Sequence, residues 1–158
     1  MKIAYLEISG RQTGKTERLT GIARHLAAEG KSVVYVICNK YCAADSRMCL
    51  PGVTVIVDGD PLPFGIDPDA AIWIYDEFDF QKSVVVRDGA YYATTAEHLR
   101  VVGVIPASDD VLMQLLKANG YRHERHLLPD FLRELVHDHR AFMSPGEFRL
   151  SMLGEFQS

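Results

Sequence analysis

Short, almost unbroken apolar runs alternate along the chain with stretches in which apolar residues recur every three or four positions. The runs fall at Ile3–Ile8, Ser32–Ile37, Val53–Val57, Ala71–Tyr75, Ala90–Thr94 and Val101–Ile105. Runs of this length without polar alternation mark strands buried on both faces, as in a parallel sheet. Between the first two, Leu19, Ile22, Ala23 and Leu26 share one face of a helix predicted from about Lys15 to Glu29, ended by Gly30. A short helix is predicted over Ala43–Met48, and Pro51-Gly52 turns into the third strand. Residues 58–69, rich in Asp, Gly and Pro, read as a loop. Residues 78–89 stay open: Ser83–Arg87 is either a strand turning at Asp88-Gly89 or a short helix. Three helices close the chain. One runs from Ser108-Asp109 to Asn119-Gly120, and one starts at Pro129-Asp130 with Phe131, Leu132, Leu135 and Val136 apolar. The last covers about 145–153 behind the capping box Ser144-Pro145-Gly146-Glu147. Strands alternating with helices predict an α/β fold, a mostly parallel sheet covered on both faces in three layers.

Length and composition narrow the class. The 158 residues suit a single domain, with the part beyond about 107 mostly helical. Apolar content of 47% and charged content of 24% are ordinary for a globular protein. No apolar run approaches a membrane span and no signal peptide opens the chain, so a soluble, cytoplasmic protein is expected. Net charge is −4, unevenly spread: residues 1–50 carry +4 and residues 51–110 carry −8. That is not the overall basic footprint of an autonomous nucleic-acid binder, although a local patch or an oligomeric ring can supply the field. Cys38, Cys42 and Cys49 form neither a disulfide framework nor a CxxC metal pair and read as ordinary buried thiols. His123-Glu124-Arg125-His126 lacks the spacing of a zinc-protease helix. His137 and His139, two apart on a predicted helix, point away from each other, so these are read as surface histidines.

The chemistry concentrates after the first strand. Ser9-Gly10-Arg11-Gln12-Thr13-Gly14-Lys15-Thr16 is a glycine-bearing loop that opens a helix, the layout of a phosphate-binding P-loop, with Ser9 where the strict pattern has glycine. Successive backbone N–H groups and a helix N-terminus converge donors on closely spaced phosphate oxygens. Gly14 permits close approach, Lys15 reaches the β- and γ-phosphates, and the Thr16 hydroxyl ligates Mg²⁺. Glu17 completes the set 9–17 expected around the nucleotide.

The fourth strand delivers the second half of such a site. Ile72-Trp73-Ile74-Tyr75 ends in Asp76-Glu77. In P-loop enzymes the first acid serves Mg²⁺ and the second orients or deprotonates the attacking water. Strands predicted between the loop and the acids fit the branch with an additional strand and a catalytic Glu, in which the Asp strand does not adjoin the P-loop strand. Thr94, at the end of the next strand, is a candidate γ-phosphate sensor beside Thr95, with a purely local role equally open. Arg11, inside the loop, is either an arginine finger in cis or an exposed loop arginine. Arg100, Arg122 and Arg125 are unranked candidates for a finger given to a neighbouring subunit.

Taken together, the chain resembles the ATPase domain of viral DNA-packaging terminase large subunits. Gly10–Thr16 resembles their arginine-bearing P-loop, Ile72–Glu77 their acid strand and Ala93-Thr94-Thr95 their later hydroxyl motif. The resemblance covers about residues 1–106. It implies ATP and Mg²⁺ as cofactors, hydrolysis carried by Arg11, Lys15 and Glu77, and ATP-driven DNA translocation with DNA, a portal-type protein or further copies of the chain as partners. Those motors are much longer and add a nuclease domain, for which there is no room here. Two alternatives stand beside it: a thymidine-type nucleoside kinase, with Glu77 as base for a sugar hydroxyl but without that family's CxxC zinc ribbon, and a nucleotide-binding regulatory or assembly module.

Overall fold

The computed structural model describes residues 1–101 and 109–157. Strands β1 (Tyr5–Ile8), β2 (Val33–Ile37), β3 (Thr54–Val57), β4 (Ile72–Asp76) and β5 (Tyr91–Thr94) form one sheet in the order β1-β5-β4-β2-β3, every pair parallel. Helices α1 (Lys15–Ala28), α2 (Ala43–Cys49), α3 (Val111–Ala118), α4 (Arg133–Phe142) and α5 (Pro145–Leu153) complete the α/β fold. β5 lies between the strand that leads into the glycine loop and the strand that ends in the two acids.

The pleat sorts side chains between two cores. Val33, Tyr35, Ile37, Val55, Ile74 and Ala93 face Leu19 and Ala23 of α1 and Ala43 of α2. Val34, Val36, Ile56, Trp73, Tyr75 and Tyr92 face the other way, where Leu112, Leu115 and Leu116 of α3 and Phe156 pack. Trp73, Tyr75 and Tyr92 stack across β4 and β5, with ring centroids 5.9 and 5.1 Å apart. Because both faces are committed, a one-residue slip of any strand would exchange its two sets of side chains, so register is strongly specified.

The outer edge of β1 is covered from far along the chain. Glu124 N–H donates to the Leu6 carbonyl (2.8 Å) and Ile8 N–H donates to the Glu124 carbonyl (3.0 Å). This parallel bridge leaves fewer unpaired backbone groups on an edge strand. The segment between α3 and α4 thus reaches β1 at Glu124.

Other boundaries differ for local reasons. Residues 78–89 form neither strand nor α-helix: a 3₁₀ turn at Phe78–Phe80 is followed by extended chain. The Asp58 carboxylate pins that chain by accepting from the Lys82 and Ser83 N–H groups at 2.8 and 2.9 Å. Asp110 rather than Asp109 caps α3, accepting from Leu112 and Met113 N–H. The helix expected at Pro129-Asp130 opens with a 3₁₀ turn, Asp130–Leu132, before α4. The expected strand Val101–Ile105 lies outside the described residues except for Val101, which is exposed and in no strand. Cys38, Cys42 and Cys49 are all exposed, not buried, because they sit at the open end of β2 and around α2 rather than on its core-facing side. The capping box of α5 forms as the sequence predicts, with Ser144 and Glu147 bonded reciprocally. No helix among the described residues is long and apolar enough to cross a membrane.

The C-terminal end of α5 is seated on the glycine loop. Arg11 N–H donates to the Ser151 carbonyl at 2.6 Å. Gly154 takes a left-handed backbone (φ 65°), and a Cβ there would lie 2.7 Å from the Gly10 nitrogen and 2.8 Å from the Ser9 carbonyl carbon. A Cβ on Gly10 would lie 2.3 Å from the Met152 carbonyl oxygen. Two glycines therefore let two backbones touch. Gly154→Ala is expected to lose about 2–4 kcal/mol of unfolding free energy in urea, combining strain with overpacking. Gly30→Ala is the control: its φ is 77° with nothing within 4 Å of the added carbon, so about 1 kcal/mol is expected. Equal losses in the two variants would show that the close approach carries no weight.

Candidate active site

β1 ends at Ile8 and the chain turns sharply through residues 9–14 into α1. Gln12 and Gly14 are left-handed, with φ of 59° and 84°. Such alternation makes concave nests of backbone N–H groups. The loop is held closed from within and from behind. Inside it, Thr13 Oγ1 donates to the Gly10 carbonyl at 2.9 Å. Behind it, Glu7 is fully buried in β1 and accepts from Arg18 of α1 through Nε (3.0 Å) and Nη2 (2.5 Å) and from the Tyr5 hydroxyl (2.7 Å). Burial alone would raise the Glu7 carboxyl, but the hydrogen bonds from Arg18, Tyr5 and Ser9 outweigh it and hold the group below its ordinary value. Arg18 spends its Nη1 on the Thr13 carbonyl at 2.8 Å, so one guanidinium joins strand, loop and helix.

Lys15 is the centre of the site. Only 4% exposed, its ammonium donates to the Gly10 carbonyl and to Thr95 Oγ1, each at 2.8 Å, and lies 3.3 Å from Glu77 Oε1. The loop, the end of β4 and the end of β5 thus meet on one cation. Glu77 follows β4 in a left-handed backbone (φ 56°), which turns its carboxylate across toward β5. There Oε2 accepts the Thr95 N–H at 2.7 Å.

Asp76, one residue earlier, is in a different environment. It is 7% exposed, and its Oδ2 accepts from the Tyr35 hydroxyl at 3.1 Å. Its Oδ1 is fully buried with no hydrogen-bond partner among the described residues. Burial pushes the Asp76 carboxyl up to about 6; the Thr16 hydroxyl, short of a full hydrogen bond, pulls it down, and the Glu77 charge adds to the rise. An orphaned buried carboxylate oxygen beside a threonine hydroxyl is the donor set for a hard cation. Among the described residues no group of three or more His, Cys, Asp or Glu side chains is placed to hold a metal by itself. Mg²⁺ fits such a sparse set, since it keeps several waters and takes one or two carboxylates together with phosphate oxygens.

The remaining candidates distribute around this centre. Thr16 and Glu17 are exposed on the first turn of α1. Ser9 is fully buried, its Oγ accepting the His126 N–H at 2.9 Å. Arg11 is exposed, and its side chain makes no polar contact among the described residues. Thr94 is also fully buried; its hydroxyl accepts the Asp79 N–H (3.2 Å) and donates to the Thr95 carbonyl (2.9 Å) behind Glu77. Thr95, rather than Thr94, presents its hydroxyl to Lys15. Of the finger candidates, Arg100 is 4% exposed and locked between Asp79 and Asp110, which removes it from reach of a neighbouring molecule. Arg125 is tied to the Leu153 carbonyl, and Arg122 is exposed. His123 is half-buried against Phe156 rather than on the surface.

Glu7, Arg18 and Tyr35 were not singled out by sequence reasoning. A signal existed for the first two: a lone carboxylate inside an apolar strand, with an arginine on the apolar side of the next helix, is a candidate buried pair. Comparisons with protein-family models, curated proteins and solved structures return no match.

A raised carboxyl pKa makes the folded state prefer the neutral acid. The stabilisation linked to Asp76 is therefore complete below its ordinary value of 3.8 and is lost as pH rises through about 6. Asp76→Asn removes this titration. Without divalent cation, its stability relative to wild type should shift in its favour by about 2.4 kcal/mol between pH 4 and pH 8. Denaturant unfolding at both pH values checks this; a difference independent of pH would remove the strained carboxylate from the site.

Proposed function

We propose that the chain binds ATP with Mg²⁺ and hydrolyses it, as a P-loop ATPase of the additional-strand, catalytic-Glu type. The observation that carries this reading is Lys15, held between the Gly10 carbonyl, Thr95 Oγ1 and Glu77 at the carboxyl ends of three parallel strands. Ligand sites of open α/β sheets lie at such ends. The backbone N–H groups of 9–16 would cradle the phosphates, and Lys15 would exchange its protein acceptors for phosphate oxygens. Freed from Lys15, Glu77 is placed to accept a proton from an attacking water. Thr16 and Asp76 would hold Mg²⁺, which when bound neutralises phosphate charge. Thr95, with Thr94 behind it, connects this centre to β5. The free Arg11 side chain is the candidate to stabilise charge on the transferring phosphoryl group.

The work driven by hydrolysis is proposed from the terminase resemblance as DNA translocation by an assembly of copies. The position of β5 between β1 and β4 supports the hydrolase branch, and a Glu directly after the acid proposed for Mg²⁺ suits activation of water.

ATP turnover, measured alone, with duplex DNA and with thymidine, tests this. Phosphate release stimulated by DNA is the expected result. ADP formed only when thymidine is present would assign a nucleoside kinase, and binding without turnover would assign a regulatory module. Lys15→Ala should abolish nucleotide binding in equilibrium titration. Glu77→Gln should keep ATP affinity within about threefold and lower kcat by about 10²–10⁴-fold; unchanged turnover in that variant removes Glu77 from the chemistry.

A further inference from the structure

Glu77 does not hold its own direction. A left-handed backbone at a residue with a side chain costs about 1–2 kcal/mol, so something beyond the strand must keep it there. The turn that follows, Phe78–Phe80, is anchored through Asp79 at three points. Its N–H donates to Thr94 Oγ1 (3.2 Å), its Oδ2 accepts the Glu97 N–H (2.7 Å) and its Oδ1 accepts Arg100 Nη2 (2.7 Å).

Arg100 is the hub of this arrangement. Its Nε donates to Asp110 Oδ2 at 2.5 Å and its Nη1 to the His98 carbonyl at 3.1 Å. Asp110 in turn caps α3. The Arg100 backbone N–H donates to the Phe156 carbonyl at 2.6 Å, and Phe156 is buried two residues beyond Gly154, which rests on Ser9 and Gly10. Loop and acid turn are joined through β5, where Thr94 accepts the Ser9 N–H at its carbonyl (3.1 Å) and the Asp79 N–H at its hydroxyl, and by a short and a long route besides. The short route is the contact between Lys15 and Glu77. The long route runs from Gly10 through Gly154, Phe156 and Arg100 to Asp79. A guanidinium with fixed fork geometry suits this role, because three acceptors in three directions are met by one rigid group.

We infer that Arg100 is a positioning residue. Through Asp79 it sets the direction of the Glu77 carboxylate, and through residues 151–156 it ties that direction to the seat of the glycine loop. The consequence for turnover rests on the hydrolytic reading above; the consequence for Glu77 geometry does not.

Arg100→Lys keeps the charge but replaces the fork with a single ammonium. Asp79→Asn, which leaves Arg100 and Asp110 paired, is the second variant should the first not fold. Both are measured at a temperature where circular dichroism shows the variant fully folded. The expected result is a fall in kcat of at least tenfold with KM for ATP changed less than threefold. Hydrogen exchange gives a readout independent of activity: the Thr95 amide, which donates to Glu77, should exchange at least fivefold faster while amides of β2 keep wild-type protection. Unchanged Thr95 exchange in a folded variant overturns the inference, whether or not the protein hydrolyses ATP. Unchanged kcat in the variants, beside an inactive Glu77→Gln, overturns the effect on turnover. A wild-type protein without ATPase activity overturns the hydrolytic reading alone, and Thr95 exchange then decides the positioning role.

Discussion

A carboxylate in the middle of a buried strand has to be paired, because an isolated charge there is prohibitively unfavourable. Glu7 meets this condition through Arg18, and much of the molecule follows from that pairing. Since Arg18 belongs to α1, the helix has one distance and one rotation relative to β1. Since its remaining Nη1 binds the Thr13 carbonyl, the loop between them shares that placement. Tyr5 adds its hydroxyl from the same strand. The loop is thus shaped from the side that faces away from the candidate chemistry. Its own lysine is left to bridge to the other strands.

The two adjacent acids show how one strand end supplies two environments. Asp76 is still on the strand, packed beside Tyr35 of β2, and burial keeps its carboxyl raised. Glu77 has left the strand, and its left-handed backbone swings the carboxylate to β5 and Lys15. One group is buried and partly without hydrogen-bond partners. The other is half-open and paired with Lys15 and the Thr95 N–H. A difference of one residue in chain position becomes a difference in surroundings because the chain changes direction between them.

How much of this was legible in the sequence depended on the distance over which each interaction acts. The five described strands follow from apolar runs, since a strand buried on both faces needs them. The box at Ser144–Glu147 follows from four consecutive residues. The approach of the loop and the acid pair in space was readable because both lie at the ends of apolar runs that become parallel strands of one sheet. Arg100 was misplaced among exposed candidates because its partners lie 21 and 10 residues away and a third contact 56 residues on. Thr95 was overshadowed by Thr94 because strand alternation decides which of two neighbouring hydroxyls faces the lysine, and one residue of uncertainty at the strand end reverses it. The segment around Glu124 lacks the apolar pattern of a strand, since it contributes a single backbone bridge rather than a buried face.

The contact of Gly154 with Ser9 and Gly10 bears on the order in which the chain can assemble during synthesis. Residues 9–11 rest against backbone that is synthesised some 140 residues later. Until then β1 lacks both its edge partner at Glu124 and the carbonyl that receives Arg11. Topologies with such distant pairings close late, because loop entropy is lost before contact energy is gained. The nascent protein can collapse around α1, β2, β3 and β4 while its glycine loop is still open on one side. Completion of the glycine loop's surroundings is therefore a late event in biosynthesis, and the growing chain passes through a stage that has most of its core but an unsupported loop.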